Sequence, residues 1–375
     1  MILIITPFFW PNVGGVETHL NDLCQYLAKK KYKVQVLTYQ PITTKARARR
    51  VESKKNFEII RFWWPGFDLF HRLEKLPLAF NFLYLTPGIL INSIFFMMKN
   101  HHRVLVIHSH GLVAGLVGVI LKKMFKKRLV ISTHAIYGFH NLSFSQISAR
   151  ILNCADRVLA LSEASKKELI EIGVDLPKIT VYVHWVNQER FKLLGKIKCK
   201  NKLKLENKFV VLFVGRLIKI KGIGLLIEVA KQQPEITFVF AGAGPEEKVL
   251  KQEAKKRENI KFVGKIDNKY LPFYYNAADV LVIPSQYEEG YGRVILEALS
   301  CGTPVVGSNR GGIKEAISPE VGILIPPEVD YFSRTLRNLF LDRQKLRKMT
   351  KNCRSYALIK FSDKNGKLIT DSYFK

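Results

Sequence analysis

Two stretches of the chain carry side chains whose type and spacing suit a phosphorylated ligand. In GRLIKIKG at 215–222, Arg216 supplies a planar guanidinium fork and Lys221 a second cation five residues on, while Gly215 and Gly222 let the backbone come close. Two cations between glycines suit a diphosphate. In PSQYEEGYGRVILEALSCGTPVV at 284–306, Gly290, Tyr291 and Gly292 form an open loop ahead of an apolar helix expected from Gly292 to Ser300 and ended by Gly302. The free N–H groups and dipole at that helix start make an anion site. Glu289 lies in the loop and Glu297 in the helix eight positions later, placing two carboxylates along one wall of the same pocket, where their oxygens can accept bonds from ring hydroxyls. Glu297 stands among Leu296, Ala298 and Leu299, where burial without a partner costs several kcal/mol, so a bound partner is expected. Glu288 is the weaker candidate.

The elements that position these residues follow from the alternation of short β-branched runs with longer amphipathic ones, the rhythm of a parallel α/β sheet. ILIIT at 2–6, KVQVLTY at 33–39, FEIIRF at 57–62, VLVIHSH at 104–110, RLVISTHA at 128–135, RVLALS at 157–162 and ITVYVH at 179–184 read as strands of one doubly wound domain. A lysine-rich stretch at 192–208 precedes a fresh start in FVVLFVG at 209–215, and ITFVFAG, IKFVG, DVLVIPS, TPVVGS and GILIPP repeat the pattern. The reading is therefore two Rossmann-like units: a first domain over 1–191, a linker over 192–208 and a second domain over 209–355. A C-terminal helix over 356–375 is expected to pack back on the first domain. A chain of 375 residues exceeds what one core usually supports, and two domains imply a cleft between them.

The formal charge of +29 calls for an anionic partner or surface. The basic residues come as separated runs, such as KARARR at 45–50, KKMFKKR at 122–128 and KIKCKNKLK at 196–204, which fits a folded surface lying on a charged membrane plane. No RNA or DNA module is visible and the aromatics lie mainly in apolar runs, so nucleic acid is not the expected partner. Five widely spaced cysteines without a CxxC pair argue against a disulfide framework or zinc site and fit a reducing cytoplasm. MILIITPFFW reads as a first strand and not as a secretory signal. LPLAFNFLYLTPGILINSIFFMM at 76–98 is long enough to span a bilayer, but Asn81, Pro87, Gly88 and Asn92 interrupt it, so a buried helical hairpin is the leading reading and membrane-surface dipping the next.

The frame EGYG followed by EALSCGTPVV, with Glu289 and Glu297 at its acidic positions, resembles the signature of family 4 retaining glycosyltransferases of the GT-B fold. GRLIKIKG, GAGPEEKVL at 242–250 and GGIKEAI at 311–317 resemble further segments of that family, and PNVGGVETHL at 11–20, HSHG at 108–111, STHA at 132–135 and ADRVLALSEASKKEL at 155–169 follow in its order. The resemblance implies a nucleoside-diphosphate sugar, UDP- or GDP-linked, as donor, bound by a nucleotide-sugar domain over 209–355, with an acceptor-binding domain over 1–191 and no separate cofactor. Arg216 and Lys221 would neutralise the leaving diphosphate, Glu289 would bind the transferred sugar and Glu297 the ribose. Gly14 and Gly15 would lie against the diphosphate in a closed form, and His134 would stand near the reacting centre, bonding a sugar hydroxyl or stabilising positive character. His110 is a weaker candidate on the acceptor side. No carboxylate pair is arranged for double displacement, so same-face substitution is expected, and with no DxD-like pair the transfer is expected to need no metal.

The chain departs from the family at VHWVNQERF, 183–191, which lacks the usual Asn-Gly-Val-Asp glycine and acid, leaving His184, Trp185 and Asn187 without an assigned role. The expected acceptor is a lipid-linked sugar, glycolipid or surface glycan, with the chain peripheral on the inner face of the cell membrane. A sugar-nucleotide epimerase or hydrolase on the same fold and a non-catalytic subunit of a transferase complex are the competing readings.

Overall fold

The computed structural model describes every residue except 13, 45, 55, 67–68, 71–72, 74–77, 135, 138–141 and 375. The start of the 76–98 segment, Lys45 of the 45–50 run, Val13 of the first glycine loop and Ala135 lie outside the described residues. The chain divides into one unit of Met1–His184 with Asp363–Lys375 and a second of Trp185–Ser362.

In the first unit β1 (Ile2–Ile5), β2 (Val34–Tyr39), β3 (Val51–Lys54), β4 (Phe57–Phe62), β5 (Val106–His110), β6 (Arg128–Ser132), β7 (Arg157–Ala160) and β8 (Ile179–Val181) form a sheet ordered β3-β4-β2-β1-β5-β6-β7-β8. All pairings are parallel except that of β3 with β4. In the second unit β9 (Phe209–Val214), β10 (Ile236–Ala241), β11 (Ile260–Gly264), β12 (Val280–Ile283), β13 (Val305–Ser308) and β14 (Gly322–Ile325) form a parallel sheet ordered β11-β10-β9-β12-β13-β14. Leu3, Ile107 and Ile131 belong to the core of the first unit, Val211, Phe238 and Phe332 to that of the second. Burial on both faces is why these strands read as near-continuous apolar runs. Both sheets have the strand order of doubly wound folds, with switch points between β1 and β5 and between β9 and β12, where ligands bind outside the carboxyl ends.

The expected boundaries change. The first unit ends at His184, and the 192–208 stretch contains a helix, Lys196–Lys202, that packs on the helix Leu271–Ala277 of the second unit. Lys196 and Lys200 pair with Asp279 at 3.1 and 2.7 Å, so part of this lysine run is an internal clamp and not a linker. The expected 356–375 helix is two pieces: the helix Arg343–Lys360 in the second unit and the helix Gly366–Phe374 in the first.

The expected hairpin at 76–98 is a single helix, Leu78–Asn100, with Pro87 inside it. Proline interrupts the backbone ladder, and the Tyr39 hydroxyl enters the gap, donating to the Leu85 carbonyl at 2.7 Å and accepting from the Ile89 N–H at 2.6 Å. One hydroxyl therefore replaces a helical bond and the chain continues. Leu85, Ile89 and Met97 face the core, but the opposite face is open to solvent, so the helix is not buried all round.

Candidate active site

Three loops meet at the carboxyl ends of β9, β12 and β13, adjacent strands of the second unit. The loop after β9 turns at Gly222, whose φ is +76° and where a Cβ would come within 2.0 Å of the Pro284 carbonyl oxygen, so only glycine allows this approach. The Gln286 N–H donates to the Ile220 carbonyl at 2.8 Å and ties the loop after β9 to the loop after β12. The third loop is held by Gly312 N–H donating to the Glu289 carbonyl at 2.8 Å and by Gly311 N–H donating to the Glu288 carboxylate. Glu288, the weaker of the two acids in the sequence, thus has a structural role, capping the 311 turn and lying 3.7 Å from Arg310.

Lys221 Nζ lies 2.8 Å from Glu289 Oε1, to which the Ser285 hydroxyl also donates. The other oxygen, Oε2, makes no hydrogen bond among the described residues and stands 3.8 Å from where a Cβ on Gly292 would be. Glu289 is therefore anchored by one oxygen and presents the other at the glycine loop. Burial works against the Lys221 charge, but the Glu289 carboxylate and Tyr287 outweigh it and hold the ammonium above the usual lysine range. Tyr287 places its ring 5.1 Å from Lys221 Nζ. Burial, then Glu289, raise the Tyr287 hydroxyl, while Lys221 and Arg216 pull it down. Arg216 is exposed and Gly215 begins its loop. Around Tyr287 the structure thus gathers Arg216, Lys221 and Glu289. Sequence reasoning passed over Tyr287; its one signal was an aromatic residue two positions before Glu289.

Glu297 differs from expectation. It is 4% exposed in the helix Arg293–Ser300, and both oxygens are used inside the protein, Oε1 by Arg293 Nε at 3.1 Å and Oε2 by the Tyr275 hydroxyl at 2.8 Å. Burial, then Glu297, push the Tyr275 hydroxyl well above the ordinary tyrosine value. The partner that burial demanded is internal. Tyr291 also turns inward, with its ring edge-on to Phe361 and its hydroxyl on the Glu315 carbonyl, while Gly290 and Gly292 flank it at the loop.

In the first unit Gly14 and Gly15 stand at the start of the helix Gly15–Lys29, after β1, and His110 ends β5. His134 follows β6, and its Nε2 lies 2.8 Å from His110 Nδ1 with the rings tilted by only 12°, an imidazole pair in which one ring donates to the other. Burial lowers the His134 pKa to about 4 and lowers that of His110 well below the ordinary value, the neighbouring histidines adding to the second, so both rings are neutral near pH 7. His108 is internal, bonded to the Tyr373 hydroxyl at 2.8 Å and to Ser132 at 2.7 Å. The unassigned residues acquire structural contacts. His184 stacks on His19 at 3.7 Å, the Asn187 carboxamide oxygen caps the Glu189 and Arg190 N–H groups, and the Trp185 carbonyl accepts from Arg293.

Comparison with solved structures defines the fold. Sucrose-phosphate synthase from Thermosynechococcus elongatus superposes with a TM-score of 0.86 at 24% identity, covering 99% of this chain and 98% of its own. Anabaena HepE, solved in complex with UDP-glucose, does so at 0.77 and 22%, with the same coverage. The fold is GT-B. The family model for Glycosyltransferase Family 4 matches residues 13–190 and that for Glycosyl transferases group 1 matches residues 196–356. The chain belongs to the family 4 glycosyltransferases and is a transferase enzyme. Among relatives, a phosphatidylinositol N-acetylglucosaminyltransferase GPI3 subunit from Saccharomyces cerevisiae is 24% identical over 337 residues, 86% of this chain and 71% of the relative. A D-inositol 3-phosphate glycosyltransferase from Kribbella flavida is 31% identical over 268 residues, 63% of each chain.

Proposed function

We propose that this glycosyltransferase moves a sugar, with retention and without a metal ion, from a UDP- or GDP-sugar to a hydroxyl of a lipid-linked or glycan acceptor at the inner face of the membrane. The observation that carries the donor half is the Arg216, Lys221, Tyr287 and Glu289 group at the switch point between β9 and β12. There the leaving diphosphate competes with Glu289 for the Lys221 ammonium, and Arg216 and the start of the helix Arg293–Ser300 take up the remaining charge. Glu289, anchored through Oε1, turns Oε2 to the hydroxyls of the transferred sugar. The cations fill the place that magnesium takes in other transferases. With Glu288 and Glu297 both engaged inside the protein, the leaving oxygen accepts the acceptor proton on the same face. A neutral His134 bonds a sugar hydroxyl, and Glu297 supports the helix from inside.

The donor reading is supported by the neighbour solved with UDP-glucose, and the acceptor reading by relatives named for phosphatidylinositol and inositol phosphate. Thermal unfolding with UDP, GDP and their sugars tests it. One nucleotide at 100 times its dissociation constant should stabilise the protein by about 2.7 kcal/mol, and Lys221→Met should remove most of that gain. A panel without any shift, or an undiminished shift in the variant, overturns the donor site.

A further inference from the structure

The helix Leu78–Asn100 carries an apolar stripe on its outer face. Phe80, Leu83, Pro87, Ile91, Phe95 and Met98 recur every three or four residues, which places them on one side, and all are exposed, Leu83 by 74% and Phe95 by 62%. Scattered exposed hydrophobic residues are ordinary on a protein surface, but a continuous row of six along a helix marks an interaction site.

The row ends in basic residues. Lys99, His101, His102 and Arg103 follow it directly, all exposed. His101 stacks on Phe125 at 5.8 Å, so the carboxyl end of this helix meets the carboxyl end of the neighbouring helix Gly111–Phe125. Beyond that end a cavity of about 520 Å³ is lined by Lys122, Lys123, Lys126, Lys127, Arg128 and Asp156. Lys122 is held by Asp156 at 2.7 Å, and Lys123 and Lys126 are exposed. The exposed Met124 lies in the same run.

We propose that this face docks on an anionic lipid bilayer. The helix Leu78–Asn100 lies in the plane of the interface with its stripe among the upper acyl chains, and the lysine-lined cavity receives lipid phosphates. Charge complementarity beside an apolar surface selects a lipid surface as the occupant. A protein partner of opposite charge would need no row of aliphatic and aromatic residues, and a spanning helix would not keep Leu85, Ile89 and Met97 packed in a sheet core. The inference deepens the membrane half of the proposed function. It is tested without donor or acceptor, so it can fail while nucleotide binding stands, and the reverse.

Flotation of the full chain with vesicles of phosphatidylcholine alone, or with 30% phosphatidylglycerol, tests the surface. Binding to the anionic vesicles in low salt should exceed binding to neutral ones by about tenfold or more and fall in high salt. Ile91→Glu and Phe95→Glu should each weaken it about tenfold with unchanged thermal unfolding. Lys123→Glu with Lys126→Glu should remove the preference for anionic lipid. A Phe95→Trp variant should be quenched by shallowly brominated lipid. Absence of binding to anionic vesicles, indifference of binding to Ile91→Glu and Phe95→Glu, or resistance to alkaline extraction, which marks a spanning helix, each overturns the proposal. So does a dimer in solution that Ile91→Glu dissociates, since the stripe is then an interface between copies.

Discussion

At the scale of single residues, the two glutamates of the 284–306 segment differ in how they are held. Glu289 is anchored through one oxygen by Lys221 and Ser285 and leaves the other at the glycine loop. Glu297 is sealed between Arg293 and Tyr275, with the Arg293 and Glu297 side chains only 7% and 5% exposed. Removing one member of a buried ion pair leaves the other charge without its counterion, at a cost of about 3–5 kcal/mol. Glu297→Ala should therefore lower the unfolding free energy by that amount, and Tyr275→Phe by about 1.5–3 kcal/mol through one lost hydrogen bond to a charged group. Urea denaturation measures both. A Glu297→Ala protein of full stability that had lost only nucleotide affinity would restore Glu297 to the ligand. The sequence already held half of this answer, since Arg293 stands four positions before Glu297 on the same helix. Tyr275, 22 residues away, could not be read from spacing.

At the scale of elements, the strands of both sheets were legible because parallel strands buried on both faces leave apolar runs. β3 was not, because VESK is a largely exposed antiparallel edge strand with no such run. The helix Leu78–Asn100 was legible as an apolar helical segment but not as one continuous helix, nor in its orientation: apolar residues all round hide which side meets the core, and Tyr39, which bridges the break at Pro87, comes from a distant strand. The carboxyl edge of the first sheet was legible only as separate histidines. Packed together they act as a group, with burial holding His134 at about 4 and His108 at about 3, and holding His110 well below 6.5. Because these folded-state values lie below the ordinary 6.5, the unfolded chain takes up protons first as the pH falls. The stability from neutral, buried imidazoles is thus complete above about pH 6.5 and is lost progressively toward pH 4 and below. Between pH 7 and 5, where ordinary carboxylates stay mostly ionised, the urea midpoint of the first unit should fall. Replacing His134 by Gln should flatten that slope, and an unchanged slope would place the titration elsewhere.

At the scale of the whole molecule, the chain leaves the first unit at His184, builds the second, and returns to the first for its last residues. The returning helix Gly366–Phe374 is integral to the first unit. Tyr373 is 1% exposed and bonds His108, Ile369 is fully buried, Gly366 lies against the Tyr26 ring and Phe374 stacks on Tyr32 at 6.0 Å. Burying an apolar side chain contributes about 1.5–3 kcal/mol, so losing Tyr373 and Ile369 alone removes about 3–6 kcal/mol and leaves His108 without its hydroxyl partner. Domains of ordinary size have only about 5–15 kcal/mol in total. A chain ending at Ser362 should therefore unfold with the first unit's transition moved to markedly lower temperature, while the second unit, complete between Trp185 and Ser362, keeps its own. Calorimetry resolves the two if UDP or GDP is added, since the proposed donor group lies in the second unit and the nucleotide should raise that transition. Equal displacement of both transitions by the truncation would mean that the two units unfold as one and that the last helix serves the whole chain.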